Sequence, residues 1–208
     1  MTEPDASAMV FKGAAVWNAW RKTQGHGPHF AAPRWYDSPG AGGLQIKGIN
    51  RLDFSGMDFS GASIHHAFAE GLNLRNACFD GARIEEGDFS RADFSGAVVR
   101  NTVVNKTVLT GANFDDAVFV NCNLNRVNLA GASFCVREIS ETVVYGLSAW
   151  DLRTSERSLQ SRLVIERTYG LYSDLIAEGK VPLMVDDIEL AQFVYYLSQH
   201  KRMRDTLN

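Results

Sequence analysis

The chain of 208 residues carries 21 Lys and Arg against 24 Asp and Glu, a formal net charge of −3, and 45% of it is apolar. That balance excludes a nucleic-acid binder driven by basic charge, and no run reaches the roughly 18 apolar residues of a membrane helix. The opening MTEPDASAMVFKG has acids where a signal peptide needs bases. Cys78, Cys122 and Cys135 lack metal or redox spacing, so they read as free thiols of a cytoplasmic protein.

Residues 1–43 read as an N-terminal cap and loop. MVFKGAAVWNAWRKT, 9–23, has the pattern of an amphipathic helix with Val10, Gly13, Trp17 and Trp20 on one face. Residues 24–50 are rich in Gly and Pro and read as irregular. His26 and His29, with no Cys or carboxylate cluster nearby, make a poor metal site. "GAGG" at 40–43 has neither the Lys-Ser nor the helix signal of a phosphate loop. Leu44 and Ile49 already keep the spacing of the next segment, which is therefore taken as 44–150.

"LDFSGMDFSGAS", 52–63, states one phrase twice in ten residues. Steps of five from Phe54 reach Phe59, Ile64, Ala69, Leu74, Phe79 and so on to Val144, and all 19 positions are apolar. Two residues before each, the side chain is usually small, as at Ala62, Ala77, Ala92 and Ala112; two residues after, Gly recurs. A period of five matches neither helix nor strand. It suits a chain that runs extended for two or three residues and then turns, with glycine supplying positive φ at the corners. Four corners make a square coil of about 20 residues, so positions 20 apart should stack. They form columns: Phe54, Leu74, Phe94, Phe114 and Phe134 in one, Phe59, Phe79, Val99, Phe119 and Ile139 in the next. About five coils spaced ~4.8 Å apart give a rod of roughly 24 Å.

"GANFDDAVF", "RADFSGAVV" and "NLAGASF" resemble the pentapeptide-repeat family, whose unit is often written A(D/N)LXX. The resemblance covers 51–146. It implies an all-β solenoid, a right-handed quadrilateral β-helix, with an N-terminal capping helix and a C-terminal helix.

Residues 151–208 are expected to leave the frame. TSERSLQSR, 153–161, reads as a polar linker; LVIE, 163–166, and PLMV, 182–185, read as short strands forming a hairpin on the last coil, with a short helix between them. Asp186 or Asp187 opens a helix through about Arg204. Its apolar set, which includes Ile188, Phe193, Val194, Tyr195 and Leu197, is too wide for one packing edge, so this helix either caps the rod or also meets a partner. The tails, "VWNAWRK" and "VYGLSAWDL … VDDIELAQFVYYL", resemble bacterial pentapeptide-repeat proteins that carry a C-terminal TIR-like nucleotide-binding domain, a domain expected to be absent from these 208 residues.

No GxSxG, HExxH or Walker-type motif is present. A solenoid filled by Phe and Leu has no internal pocket for a substrate, so no enzyme, cofactor, metal or small-molecule substrate is expected. Function then belongs to an outer wall or an end. Phe68, Val98, Val103, Val108, Val118 and Val120 point outward and form a candidate docking surface unless a tail covers them. His65 and His66 should stack on Glu85 and Glu86 as solvated charge pairs. The expected role is a non-enzymatic scaffold for a protein partner or a second copy, as the assembly or sensor arm of a bacterial defence or signalling effector. The family resemblance implies an alternative, a DNA mimic that occupies gyrase. Residues 51–146 hold 12 Asp and Glu against 8 Lys and Arg, with bases interrupting the acids, and the rod is shorter than a DNA turn of about 34 Å.

Overall fold

A chain that reverses its inward side at every fifth residue buries its centre only if successive coils lie directly on one another. The computed structural model describes residues 9–24, 53–166, 168 and 170–199, and within them the coils do so. The elements, in chain order, are α1 (Ala14–Arg21), β1 (Ser63–His65), β2 (Arg83–Glu85), β3 (Val98–Arg100), β4 (Val103–Asn105), β5 (Val118–Val120), β6 (Glu138–Ser140), β7 (Leu159–Ser161), β8 (Leu163–Val164), α2 (Tyr172–Ala177), β9 (Met184–Val185) and α3 (Ile188–Gln199). Parallel ladders β1-β2-β4 and β3-β5-β6 pair residues 20 apart, as at Ile64↔Ile84 and Val99↔Phe119. Isolated parallel bridges such as Asp53↔Asn73 and Phe68↔Asp88 continue the same register on the other two walls. The result is a right-handed quadrilateral β-helix of about five turns with helices at both ends.

Each coil donates and accepts along the rod axis. Phe54 N–H donates to Asn73 O at 2.9 Å, and Cys78 N–H to Met57 O at 2.9 Å. The five-step residues fill the axis: Phe54, Phe59, Leu74, Phe79, Phe94, Phe114, Phe119 and Phe134 are each 4% exposed or less. Ile64, in the first described coil, is only partly buried. Rings of successive coils stack, with centroids 5.3 Å apart for Phe59–Phe79 and 5.0 Å for Phe94–Phe114, and Phe114 meets Phe134 edge-on at 5.7 Å. The void left along this axis is about 20 Å³, roughly the space of one water. The interior is solid.

The corners run left-handed at more than the glycines. Gly56, Gly61 and Gly71 have φ near +66°, but His66, Glu86, Arg91, Lys106 and Arg126 sit at the equivalent place with φ between +50° and +58°. Such a backbone costs a non-glycine residue about 1–2 kcal/mol, which the ladder bonds on both sides of each corner hold in place. Val136 departs from the pattern: it turns inward and is 2% exposed, while Arg137 is exposed.

The open first coil is closed by side chains of α1. Trp17 Nε1–H donates to Asp58 O at 2.7 Å, Arg21 to Ser60 O at 2.6 Å, and Asn18 Nδ2–H to Gly56 O at 2.8 Å; Asn18 Oδ1 accepts from Asp58 N–H at 2.9 Å. Those backbone groups, on the first described coil, find their partners in α1, and an unpaired edge invites foreign strands. Arg21→Ala leaves the part-buried Ser60 carbonyl without its side-chain donor and Asp58 O with Trp17 alone. We expect a loss of ~1–3 kcal/mol by urea unfolding and earlier hydrogen exchange confined to the first coil. The helix is shorter than the amphipathic pattern suggests, because Gly13, at φ +86°, separates Ala14–Arg21 from the turn before it.

At the other end the ladder outlives the five-step count. TSERSLQSR is wall, not linker: Ser133 bridges Arg153, and β7 pairs with β6. The spacing there rises from 20 to 21, as in Ile139↔Gln160, because one extra residue enters the corner after Arg153 and shifts the frame. β8 and β9 form the hairpin in antiparallel register. Asp187 opens α3 by accepting from Leu190 N–H at 2.7 Å, while Asp186 accepts from Arg162 N–H. The expected start of the frame at Leu44 and Ile49, the loop histidines His26 and His29, GAGG, and the helix beyond Gln199 lie outside the described residues.

Candidate functional site

The outer walls are laddered with polar pairs. Asn73 Nδ2–H donates to Asp53 at 2.9 Å, Asn101 to Asp80 at 2.9 Å, and Asn121 to Asn101 at 2.9 Å. Charges alternate between neighbouring coils: Arg75–Asp93 at 3.1 Å, Arg91–Glu70 at 2.7 Å, Lys106–Glu86 at 2.8 Å and Arg162–Glu141 at 2.6 Å. His65 and His66 stack on Glu85 and Glu86 at 3.2 and 3.4 Å. The Lys106 hydrogen bond holds the Glu86 carboxyl below its ordinary range. Burial pushes Asp93 up, but the Ser95 amide and the Arg75 guanidinium, both bonded to it, outweigh it, so its carboxyl also lies low. Among the described residues no group of three or more His, Cys, Asp or Glu is placed to hold a metal, and no helix is long and apolar enough to cross a membrane.

The outward apolar residues do not form one patch. Phe68 is 55% exposed and Val108 36%, but Asp88 lies between them on the ladder. Val98, Val103 and Val120 are half-buried. Val118, expected outside, is 1% exposed: it is flanked on the ladder by Val98 and by Glu138, whose carboxylate is held along the strand by the Ser140 hydroxyl. Val143 is also covered, packed with Val164 and Leu175. The cover is the returning C-terminal segment. Asn123 Nδ2–H donates to Gly170 O at 2.7 Å, Asn125 to Thr168 O, and Asn121 exchanges bonds with Ser173. Three outward asparagines within one coil thus grip the tail, a role that their place in the repeat does not announce.

The C-terminal end is different. One face of α3 closes the last coil: Ile188 and Ala191 are buried, Gln192 accepts from Ala149 N–H, Ile188 N–H donates to Gln160 at 2.9 Å, and the Tyr195 ring meets Tyr145 at 5.0 Å. The opposite face is open. Leu190 is 47% exposed and Phe193 58%, with Val194 and Leu197 half-buried beside them. Trp150, on the rim of the coil, is 60% exposed and meets Tyr196 edge-on at 6.4 Å. Between helix and rim lies a groove of about 330 Å³, lined by Trp150, Leu152, Phe193 and Tyr196, with Asp151 and Glu189 at its edge. Among the described residues, eight of the twelve large apolar side chains that are exposed lie from Trp150 onward.

The family model described as pentapeptide repeats matches eight copies, at residues 53–91, 88–126 and 105–135. Residues 53–135 belong to the pentapeptide-repeat family. No curated protein matches the chain in sequence. Solved structures that resemble it include full-length QnrB1, a plasmid-mediated fluoroquinolone resistance protein, at 20% identity over 55% of this chain and 61% of that one, with a TM-score of 0.49. A trypsin-treated QnrB1 aligns at 23% identity over 51% of this chain and 54% of that one, with a TM-score of 0.46. A pentapeptide repeat protein from the Arabidopsis thaliana thylakoid lumen aligns at 25% identity over 71% and 89%, with a TM-score of 0.29. The chain therefore spans little more than half the length of the two QnrB1 structures.

Within the repeats, the cysteines occupy separate environments. Cys122 takes a small inward position, is fully buried and donates its thiol hydrogen to Val99 O at 3.1 Å; burial pushes the thiol up to about 12. Cys78 and Cys135 are partly exposed. Because the thiolate is the reactive form, a thiol reagent at pH 8 is expected to label two cysteines in the folded repeat protein and the third only after denaturation.

Proposed function

We propose that this protein is a non-enzymatic interaction module, and that its contact surface is the open face of α3 with the Trp150 rim. The observation that supports this most directly is the gathering of exposed apolar side chains, Trp150, Leu190, Phe193 and Tyr196, at the C-terminal end of a rod whose core is solid. A contiguous apolar set of this kind is uncommon on a surface that stays solvated. The partner we favour is a second copy of the chain. Leu190, Phe193 and Leu197 lie at i, i+3 and i+7 on α3, the spacing of a helix seam, and two such seams related by a twofold axis cover each other. By analogy with the bacterial proteins that the tails resemble, such a contact serves as the assembly arm of a defence or signalling effector.

Substituting Phe193→Glu tests the reading by light scattering: the dimer should fall to a monomer while the fold is retained. A gyrase inhibitor is the second reading of such a rod. It needs a line of negative charge at phosphate-like spacing, whereas the acids here pair with arginines and lysines on neighbouring coils. Inhibition of supercoiling at micromolar protein would revive it.

A further inference from the structure

On the third wall, the column of corner residues reads His66, Glu86, Lys106 and Arg126, one per coil. Opposite charges neighbour each other in the first three places: His66–Glu86 at 3.4 Å and Glu86–Lys106 at 2.8 Å. Then the alternation fails. Arg126 follows Lys106, and above Arg126 stands Gly146, which carries no charge. Like charges on adjacent rungs repel.

These two cations line a cavity of about 90 Å³, together with Arg83, Asn105 and Tyr145. The acids nearby are already engaged: Glu85 binds Arg83 at 2.7 Å and His65 at 3.2 Å, and Glu86 binds Lys106 and His66. Asn123 and Asn125, at the upper side of the cavity, turn their amide N–H groups to the returning tail. Among the described residues, the Arg126 guanidinium, the Asn105 side-chain amide and the Tyr145 hydroxyl have no acceptor. Asparagines at comparable rungs of other walls pair along their ladder, as Asn73 and Asn121 do. The cleft thus offers N–H and O–H donors and one uncompensated positive charge, beside the buried Asn125 side-chain carbonyl, which has no donor.

We propose that this cleft is an oxyanion site that takes a phosphate group, with Arg126 and Lys106 on its charge and Asn105 and Tyr145 donating to its remaining oxygens. An anion between the two stacked cations removes their repulsion, and a planar guanidinium suits two phosphate oxygens at once. The group is either inorganic phosphate or the phosphate of a small monoester; the cleft chemistry is common to both.

The test is a chemical-shift titration of the full chain with inorganic phosphate and, separately, with phenyl phosphate. Saturable shifts centred on the amides of Asn105, Lys106 and Arg126 are expected for at least one. Tighter binding of inorganic phosphate identifies the free ion, and tighter binding of phenyl phosphate identifies an ester. Arg126→Gln should weaken the favoured probe by about tenfold, and Arg91→Gln, on the fourth wall, should not change it. If Arg126→Gln does not fold, Asn105→Ala gives the same reading with a smaller loss. No saturation by about 20 mM of either probe, or equal binding by wild type and both cleft variants, overturns the site.

Discussion

Phe114→Ala is expected to cost about 3–5 kcal/mol in urea or thermal unfolding, the largest effect of any single substitution in the rod. Phe114 is 2% exposed and sits at mid-column, with ring centroids of Phe94, Phe119 and Phe134 at 5.0, 5.5 and 5.7 Å. The axis around it has room for little more than a water, so the hole left by the ring is not filled by relaxation of loose neighbours. The loss is a large part of the roughly 5–15 kcal/mol that holds a domain of this size. Because each coil contacts only the coils above and below it, the damage should be local first. Hydrogen exchange should accelerate in the coils of Phe94 and Phe134 before that of Phe59. Phe68→Ala, on the outside and 55% exposed, is the control and should change stability by less than ~0.5 kcal/mol.

The second large effect is on association. Phe193→Glu puts a charge at the centre of the open face of α3 without touching the residues that cap the last coil, Ile188, Ala191 and Gln192. Truncating a central aromatic in an interface typically costs 2 kcal/mol or more, and a buried unpaired carboxylate adds to that. The dimer dissociation constant should rise at least ~30-fold, with an unchanged unfolding transition for the rod. Trp150→Ala, on the rim, should weaken association less. Ile188→Glu is expected to behave differently, destabilising the fold itself because Ile188 is fully buried against the last coil.

The repeat was legible in the sequence because its cause is local. Every five residues the same inward side chain meets the same surroundings, so Phe54 to Val144 could be read in one frame, and stacking of His65 on Glu85 follows from counting 20 residues. The capping role of α1 was legible in its apolar face, though not in Asn18 and Arg21, whose polarity hides the backbone groups they satisfy. What escaped is non-periodic. A one-residue insertion after Arg153 shifts the frame, so a wall segment reads as a polar linker. The tail grips Asn121, Asn123 and Asn125 through contacts more than 40 residues apart in sequence, and it buries Val143. Val118 loses its exposure to ladder neighbours that a single repeat does not reveal. Left-handed corners at Lys106 and Arg126 are likewise imposed by the coil and not by residue preference.

Light scattering of the unaltered chain, from micromolar to about 100 μM, tests the account of function most directly. The subunit mass is 23.0 kDa. A dimer should approach twice that value as concentration rises, and Phe193→Glu should return it to the subunit mass. A single species at 23.0 kDa across the whole range would contradict self-association through α3.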